Sequence, residues 1–583
     1  MITSQEALVA GVIAVETRTG TRASRWTLEA VAYVGLGALA LLWRLGSLGS
    51  SFLGPEEARQ AVAAFHLQQG TAQPIGWAAG GISPGLLSLQ ALAFSLFAAN
   101  DAWARLPVVL ITCLYPLAIW QLRPFLGRQV ALLAAALLCL SPLWTALGWQ
   151  GLAPEAAVVA LMLAFGLALQ GWLSGRLWLG AAAAACLGVA LALAAEAWVG
   201  GLLLVLAGIW LLPAQERASL AGYGRRAARL ALPALVLAFA LAATAGGAYP
   251  GGLQDALNLP ANWVSGFYYR EAGAVTAQAL TLLTFEPLLI GLSVAAFIFA
   301  PPRSRWHDGL CLFAATAVIL ALASGHRLAG LALCLPALAL LGAEAGVALL
   351  HRLGTMDSHL RLQGCVVAAV LIGYGYISLS GVARRGDLVY LVLAFTAVGI
   401  GLALLGLVAV REGWAQAATL VGLAGLLVLV PWSLSYTAAN WQPAMAGQRL
   451  AFADVSQAGL GDLRFDLERL AWSRASDRYD LGLMVEEGAG PLVAWYVRGM
   501  QKVTFVEHIP VDVADDAGVQ ALVTAGDKPL PLAGGGDQFV GQSYTISRTW
   551  VPRLASLREW LTWALFRAPA ATGEDRVTLW VRK

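Results

Sequence analysis

Runs of about twenty apolar residues recur between residues 27 and 435, each long enough to cross the hydrocarbon core of a bilayer as a helix. They lie near 27–47, 104–122, 127–146, 153–172, 177–195, 197–213, 229–248, 277–300, 309–324, 328–350, 364–382, 388–410 and 415–435. A chain of this pattern cannot pack as one soluble domain, and its mean hydropathy of +0.70 agrees. One further run, Gly85 to Ala99, is shorter and follows Ser83-Pro84. Whether it spans decides the side on which everything downstream lies.

The arginines settle that expectation. If Gly85–Ala99 lies flat at the interface, the inner side collects Arg18, Arg22, Arg25, Arg123, Arg128, Arg176, Arg217, Arg225, Arg226, Arg229, Arg303, Arg305, Arg352, Arg361 and Arg411. If it spans, the positive-inside bias reverses. The flat reading predicts thirteen spans between residues 27 and 437 and a cytoplasmic tail over 1–26. No small-residue cleavage site follows the tail, so it does not read as a removable signal. Three stretches then share the outer face: 48–103, 249–276 and 438–583. The last carries most of the acidic residues and reads as an α/β domain. Its expected helices are Leu460–Ala475 and a short one from Pro491; its expected strands are Leu481–Glu486, Val503–His508, Ala521–Ala525 and Arg576–Val581. Gly534-Gly535-Gly536-Asp537 reads as a loop without a nucleotide role.

Only 12% of residues are charged, so Gly54-Pro55-Glu56-Glu57-Ala58-Arg59, just after the first span, calls for a reason. The string reads as a helix start, with Gly54 as N-cap and Pro55 at the first helical position. Ala58, Ala61, Val62 and Phe65 form an apolar stripe, with Glu56, Gln60 and His66 elsewhere, which predicts a helix along the membrane surface. Its dipole favours ionised Glu56 and Glu57, and a carboxylate held there suits a general base or a cation ligand. The six cysteines fall inside apolar runs without metal spacing and read as buried packing. A net charge of +3 argues against nucleic acid as a partner.

The order of short motifs resembles a known group. Glu56-Glu57-Ala58 is followed by Gly70, Ser83-Pro84-Gly85-Leu86, a short apolar helix, Ala104-Arg105-Leu106-Pro107 and Leu126-Gly127-Arg128. This resembles the GT-C glycosyltransferases of the family 39 type, the group of protein O-mannosyltransferases and lipid A aminoarabinose transferases. Pro491-Leu492-Val493-Ala494-Trp495-Tyr496-Val497-Arg498 and the closing Leu579-Trp580-Val581-Arg582 are similar to a prokaryotic branch of flippase-activity-associated proteins. The resemblance implies a polytopic α-helical membrane protein with a C-terminal extracytoplasmic α/β domain. It also implies transfer of a sugar from a polyprenyl-phosphate carrier to a glycan, lipid or protein acceptor outside the cytoplasm, with inversion. Glu56 matches the family's first-loop catalytic Asp, with Glu57 beside it, and Glu155 sits where a second acidic residue occurs. The chain departs from the pattern twice, with Glu for Asp at 56 and Glu196 where the family commonly has Lys.

The chemistry needs a carboxylate for the acceptor hydroxyl and cations or a metal for the leaving phosphate. The candidate catalytic residues are Glu56 and Glu57. Glu56 is also the candidate ligand for a divalent ion such as Mg or Mn. Candidate substrate and phosphate residues are Arg105, His326, Arg327, Glu155 and Arg270, although Arg270 also has Glu271 as a neighbour to pair with. A second reading stays open: a non-catalytic member of the same fold that binds a lipid-linked glycan and assists its translocation or presentation. A secondary transporter would want inverted repeats and charges at span midpoints, and the sequence has neither.

Overall fold

The computed structural model describes residues 27–46, 48–49, 51–71, 82–268, 274–299, 305–324, 329–441, 453–454, 457–513, 516, 518–527, 538–549, 557–566 and 573–583. The helices of the first half are α1 Leu28–Leu45, α2 Pro55–Gln69, α3 Pro84–Leu96, α4 Asp101–Thr112, α5 Tyr115–Leu126, α6 Arg128–Leu140, α7 Pro142–Trp149, α8 Ala153–Ser174, α9 Leu177–Leu193, α10 Ala195–Leu211, α11 Ala214–Ala243 and α12 Gly252–Ser265. Then follow α13 Ala274–Phe285, α14 Pro287–Phe299, α15 Arg305–Ala323, α16 Cys334–Thr355, α17 Ser358–Arg385, α18 Leu388–Arg411 and α19 Trp414–Trp441.

Among the described residues each expected apolar run falls mainly on helix, but the expected count of thirteen spans does not carry over. Eight helices among the described residues are long and apolar enough to cross a membrane, or up to ten if each of two bent pairs is one span. The bent pairs are α6 with α7, at 65°, and α13 with α14, at 84°. The helices α9, α10 and α15 are shorter apolar ones. Both bends precede a proline, Pro142 and Pro287, where the preceding residue is pushed out of helical geometry. The two bends are also tied together. Glu286, fully buried, accepts from Ser141 Oγ at 2.5 Å and from the Leu143 N–H at 2.7 Å, so one carboxylate fills the gap left by both breaks. The chain is a multi-pass membrane protein.

The C-terminal region adds α20 Gln457–Ala475, α21 Gly490–Val497 and α22 Leu557–Phe566 to the strands β1 Ala453–Asp454, β2 Gly482–Glu486, β3 Lys502–Val506, β4 Ala521–Ala525, β5 Phe539–Thr549 and β6 Gly573–Arg582. The six strands form one mixed sheet in the order β1-β5-β6-β4-β2-β3. β2 pairs in parallel with β3 and β4, and the remaining pairs are antiparallel. The expected strands stand, while β5 and α22 extend the α/β reading. The 534–537 loop and the 1–26 tail lie outside the described residues. The helical part runs on to Trp441, slightly past the expected boundary at 437.

One apolar core joins this domain to the first loop. Leu53, Ala58, Ala61, Val62, Leu87 and Phe94 pack in the same cluster as Leu460, Leu463, Val493, Trp495 and Tyr496. The packing of α2 is therefore wider than the single apolar stripe expected for it. Gln60, expected on the polar face, is buried and exchanges two 2.9 Å hydrogen bonds with the backbone of Ser83. On this side α2 is covered by α3 and by the C-terminal domain, while Glu56 stays on the exposed side.

Candidate active site around the Glu56 helix

The local sequence explains how α2 begins. Gly54 is extended (φ −74°, ψ 166°), Pro55 takes the first helical position, and Glu57 reaches back to accept from the Gly54 N–H at 2.6 Å. That return bond is the carboxylate half of a capping box, and it turns Glu57 inward. Glu56, one residue earlier, points the other way. Its side chain is 64% exposed and pairs with Arg59 at 2.9 Å across one turn. The two adjacent carboxylates therefore have opposite surroundings.

Glu57 meets Arg105 in a buried bidentate pair, Nε–Oε1 at 2.7 Å and Nη2–Oε2 at 2.9 Å. Burial is the largest influence on the Glu57 carboxyl and pushes its pKa up, while Arg105 and the Gly54 N–H pull it back. Arg105 also donates from Nη1 to the carbonyls of Leu48 (3.1 Å) and Ser51 (3.0 Å), and from Nη2 to that of Phe52 (3.0 Å). All five guanidinium N–H groups thus have protein acceptors. This corrects the expectation that Arg105 holds a carrier phosphate: with no donor to spare, it holds Glu57 and the 48–52 segment in place. The ring of Trp149 lies 4.6 Å from its guanidinium.

Glu155 is likewise internal. It pairs with Arg44 at 3.0 Å, with each side chain 1% exposed, which corrects its expected role as a substrate contact. Arg44 closes the last turn of α1 and Glu155 opens α8, so each charge meets the helix end that favours it. The turn from Gly148 to Gly151 threads between the two pairs. A Cβ at 148 would stand 2.3 Å from Arg44 Nε, and one at 151, where φ is +64°, 3.0 Å from Arg105 Cγ. Neither Arg44 nor Asp101 stands out in the sequence as a candidate, because a partner far away in the chain leaves no local pattern.

Asp101 is where the C-terminal domain takes hold. Its carboxylate accepts from Trp495 Nε1 and from Tyr496 Oη, each at 2.7 Å, and Tyr496 Oη accepts from the Leu53 N–H at 2.8 Å. Burial, and then the Asp101 charge, push the Tyr496 hydroxyl far above its ordinary range, so it stays a donor. Arg498 lies over the Trp495 ring at 3.6 Å and donates to the Ala99 carbonyl at 2.5 Å; burial lowers its pKa to about 10. The Pro491–Arg498 string is thus the clasp on the loop that carries Glu56.

Glu56, Glu57 and Arg105 share one corner, and Glu155 lies across the 148–151 turn. Arg270, His326 and Arg327 lie outside the described residues. No group of three or more His, Cys, Asp or Glu side chains that could hold a metal is present among the described residues. Among the described residues Glu56 stands as a single carboxylate beside Arg59.

The order of helices, the buried first loop and the small C-terminal sheet define the GT-C fold. The chain is similar in structure to ArnT from Cupriavidus metallidurans bound to undecaprenyl phosphate, with 16% identity, a TM-score of 0.57, and coverage of 95% of this chain and 98% of that one. The apo form of the same protein gives 16% identity, 0.54, and 94% and 97%. An Archaeoglobus fulgidus oligosaccharyltransferase tethered with an acceptor peptide gives 13% identity, a TM-score of 0.47, and 86% and 69%. No family model and no curated protein matches the sequence.

Proposed function

We propose that this chain is a hexosyl- or mannosyl-type glycosyltransferase of the family 39 kind. It would move a sugar from a polyprenyl-phosphate donor to a glycan, lipid or protein acceptor on the extracytoplasmic face. The observation that carries the reading is the split between Glu56 and Glu57: one carboxylate is locked by Arg105, and the other is presented to solvent at a helix start. In the proposed step the acceptor oxygen attacks the anomeric carbon, Glu56 takes the hydroxyl proton, and the carbon–oxygen bond to phosphate breaks. The anomeric centre inverts and polyprenyl phosphate leaves with the bonding pair. Glu57 and Arg105 position Glu56 by fixing the backbone on either side of Pro55. His326, Arg327 and Arg270 are the proposed cations for the leaving phosphate. The likeness to a protein bound to undecaprenyl phosphate supports a lipid-linked donor.

Under this reading the first loop, the 249–276 stretch and the C-terminal domain face outward and the N-terminus inward. The flippase-associated branch is the proposed subgroup, supported by the use of Pro491–Arg498 as a clasp. The test is to give purified protein in nanodiscs an undecaprenyl-phosphate–sugar with a labelled sugar and follow release of undecaprenyl phosphate. Glu196, an anion where the resemblance expects Lys, favours the second reading, a non-catalytic protein that binds and presents a lipid-linked glycan. Binding of the donor without release would support it.

A further inference from the structure

Glu196 stands in the first turn of α10, 6% exposed, and no hydrogen bond or ion pair joins it to another described residue. It lines a partly open cavity of about 220 Å³, mouth included, together with Trp263 at the end of α12, Ser324 after α15, Gly330, and the apolar Val199 and Leu333. Three segments distant in the chain converge here. The cavity also lies at the α2 end of the molecule. Gln60, one turn along from Glu56, holds the Ser83 backbone, and Ser83 Oγ donates to the Leu193 carbonyl at 2.5 Å, three residues before Glu196.

A carboxylate in this state needs donors, because a buried charge without partners is costly. Its own backbone N–H is a donor to it, and the other described walls supply none. Ser324 Oγ gives its proton to the Ala321 carbonyl at 3.1 Å, and the remaining lining is apolar apart from the Trp263 indole. A phosphate is repelled by the anion, and one carboxylate alone makes no metal site. Its enclosed part has room for about one water-sized group, so it suits a single ring substituent and not a sugar ring or a lipid. Trp263 lines the same cavity as the carboxylate and adds an aromatic wall to it.

We propose that Glu196 is a sugar-recognition residue: its cavity receives one hydroxyl or amino substituent of the donor's sugar, while the carrier phosphate binds elsewhere. The inference rests on the lipid-linked donor proposed above. Its test measures binding of undecaprenyl phosphate, undecaprenyl-phosphate–glucose and undecaprenyl-phosphate–glucosamine to the wild type, Glu196→Gln and Glu196→Ala in nanodiscs. The wild type should bind one of the sugar lipids about tenfold or more tighter than the bare carrier, and both variants should lose that gain while holding the bare carrier as before. Preference for glucosamine assigns the ammonium, and preference for glucose the hydroxyl. The melting temperature of the variants should stay level or rise; a fall would mark a structural role and overturn the proposal. A sugar gain unchanged in the variants, or absent from the wild type, overturns it and leaves the donor reading intact. A wild type that binds none of the three overturns both.

Discussion

Tyr496 and Asp101 are 395 residues apart in the chain and are joined by a 2.7 Å hydrogen bond, with Tyr496 Oη also receiving the Leu53 N–H. The bond couples the C-terminal domain to the residue that precedes Gly54-Pro55-Glu56. Tyr496→Phe removes both contacts and keeps the ring against Phe52, 5.0 Å away. It should weaken docking by about 1–3 kcal/mol, read as faster hydrogen exchange over residues 51–60 with little change in the membrane helices. The hydroxyl's folded pKa is raised, so its contribution is complete below the ordinary tyrosine value of 10 and is lost as pH rises beyond it. The Phe variant should not show that alkaline loosening.

Arg105→Ala leaves the buried Glu57 carboxylate with the Gly54 N–H but no counter-charge, and frees three backbone carbonyls. A destabilisation of about 3–5 kcal/mol is expected, visible as a fall in melting temperature before any ligand is added. Lys at 105 cannot reproduce a five-donor fork and should recover little of it. If Arg105→Ala kept wild-type stability and lost only lipid binding, the positioning role would be wrong and the phosphate role restored.

Gly148→Ala and Gly151→Ala test the turn between the two buried pairs. The added methyl at 148 meets both Arg44 Nε and Glu155 Oε2, the latter at 2.7 Å, and at 151 it meets Arg105 in a left-handed backbone. Both should lower the melting temperature more than Gly175→Ala, where φ is +68° but nothing lies within 4 Å. Gly175 carries the backbone cost alone, about 1–2 kcal/mol. Equal effects at all three positions would mean that the pairs tolerate the intrusion.

How much of this could be read from residue order follows from the reach of each signal. Apolar run length located the helices on which the expected runs fall, because that property is local, but not how many of them are long enough to cross a membrane. It did not show where α6 and α13 break, since Glu286 answers Ser141 and Leu143 only in three dimensions. The Glu56-Glu57 pair stood out in a chain with few charges, and the helix start at Gly54-Pro55 was legible from cap chemistry. The division of labour between the two carboxylates was not, because it depends on Arg105, 48 residues on. Asp101, Arg44 and Glu155 show the same limit: each reads alone as an ordinary helix-end charge. Strand β5 escaped because Phe539–Thr549 mixes Gly, Gln and Ser through an edge-near position, blurring the alternation that marked β2 and β4.

Orientation has its own check. A reporter active only in the cytoplasm, fused after Lys583, should stay silent if residues 438–583 face outward. Activity there would reverse the topology and move the Glu56 corner to the inner face.

The proposed division between Glu56 and Glu57 is tested most directly by single-turnover release of labelled sugar from its undecaprenyl-phosphate donor by Glu56→Gln. The substitution keeps the side chain's shape and its place beside Arg59, and removes the acceptor for the proton. A loss on the order of 10²-fold or more in rate is expected, with the melting temperature and donor binding retained. Turnover near the wild-type rate in Glu56→Gln would contradict it.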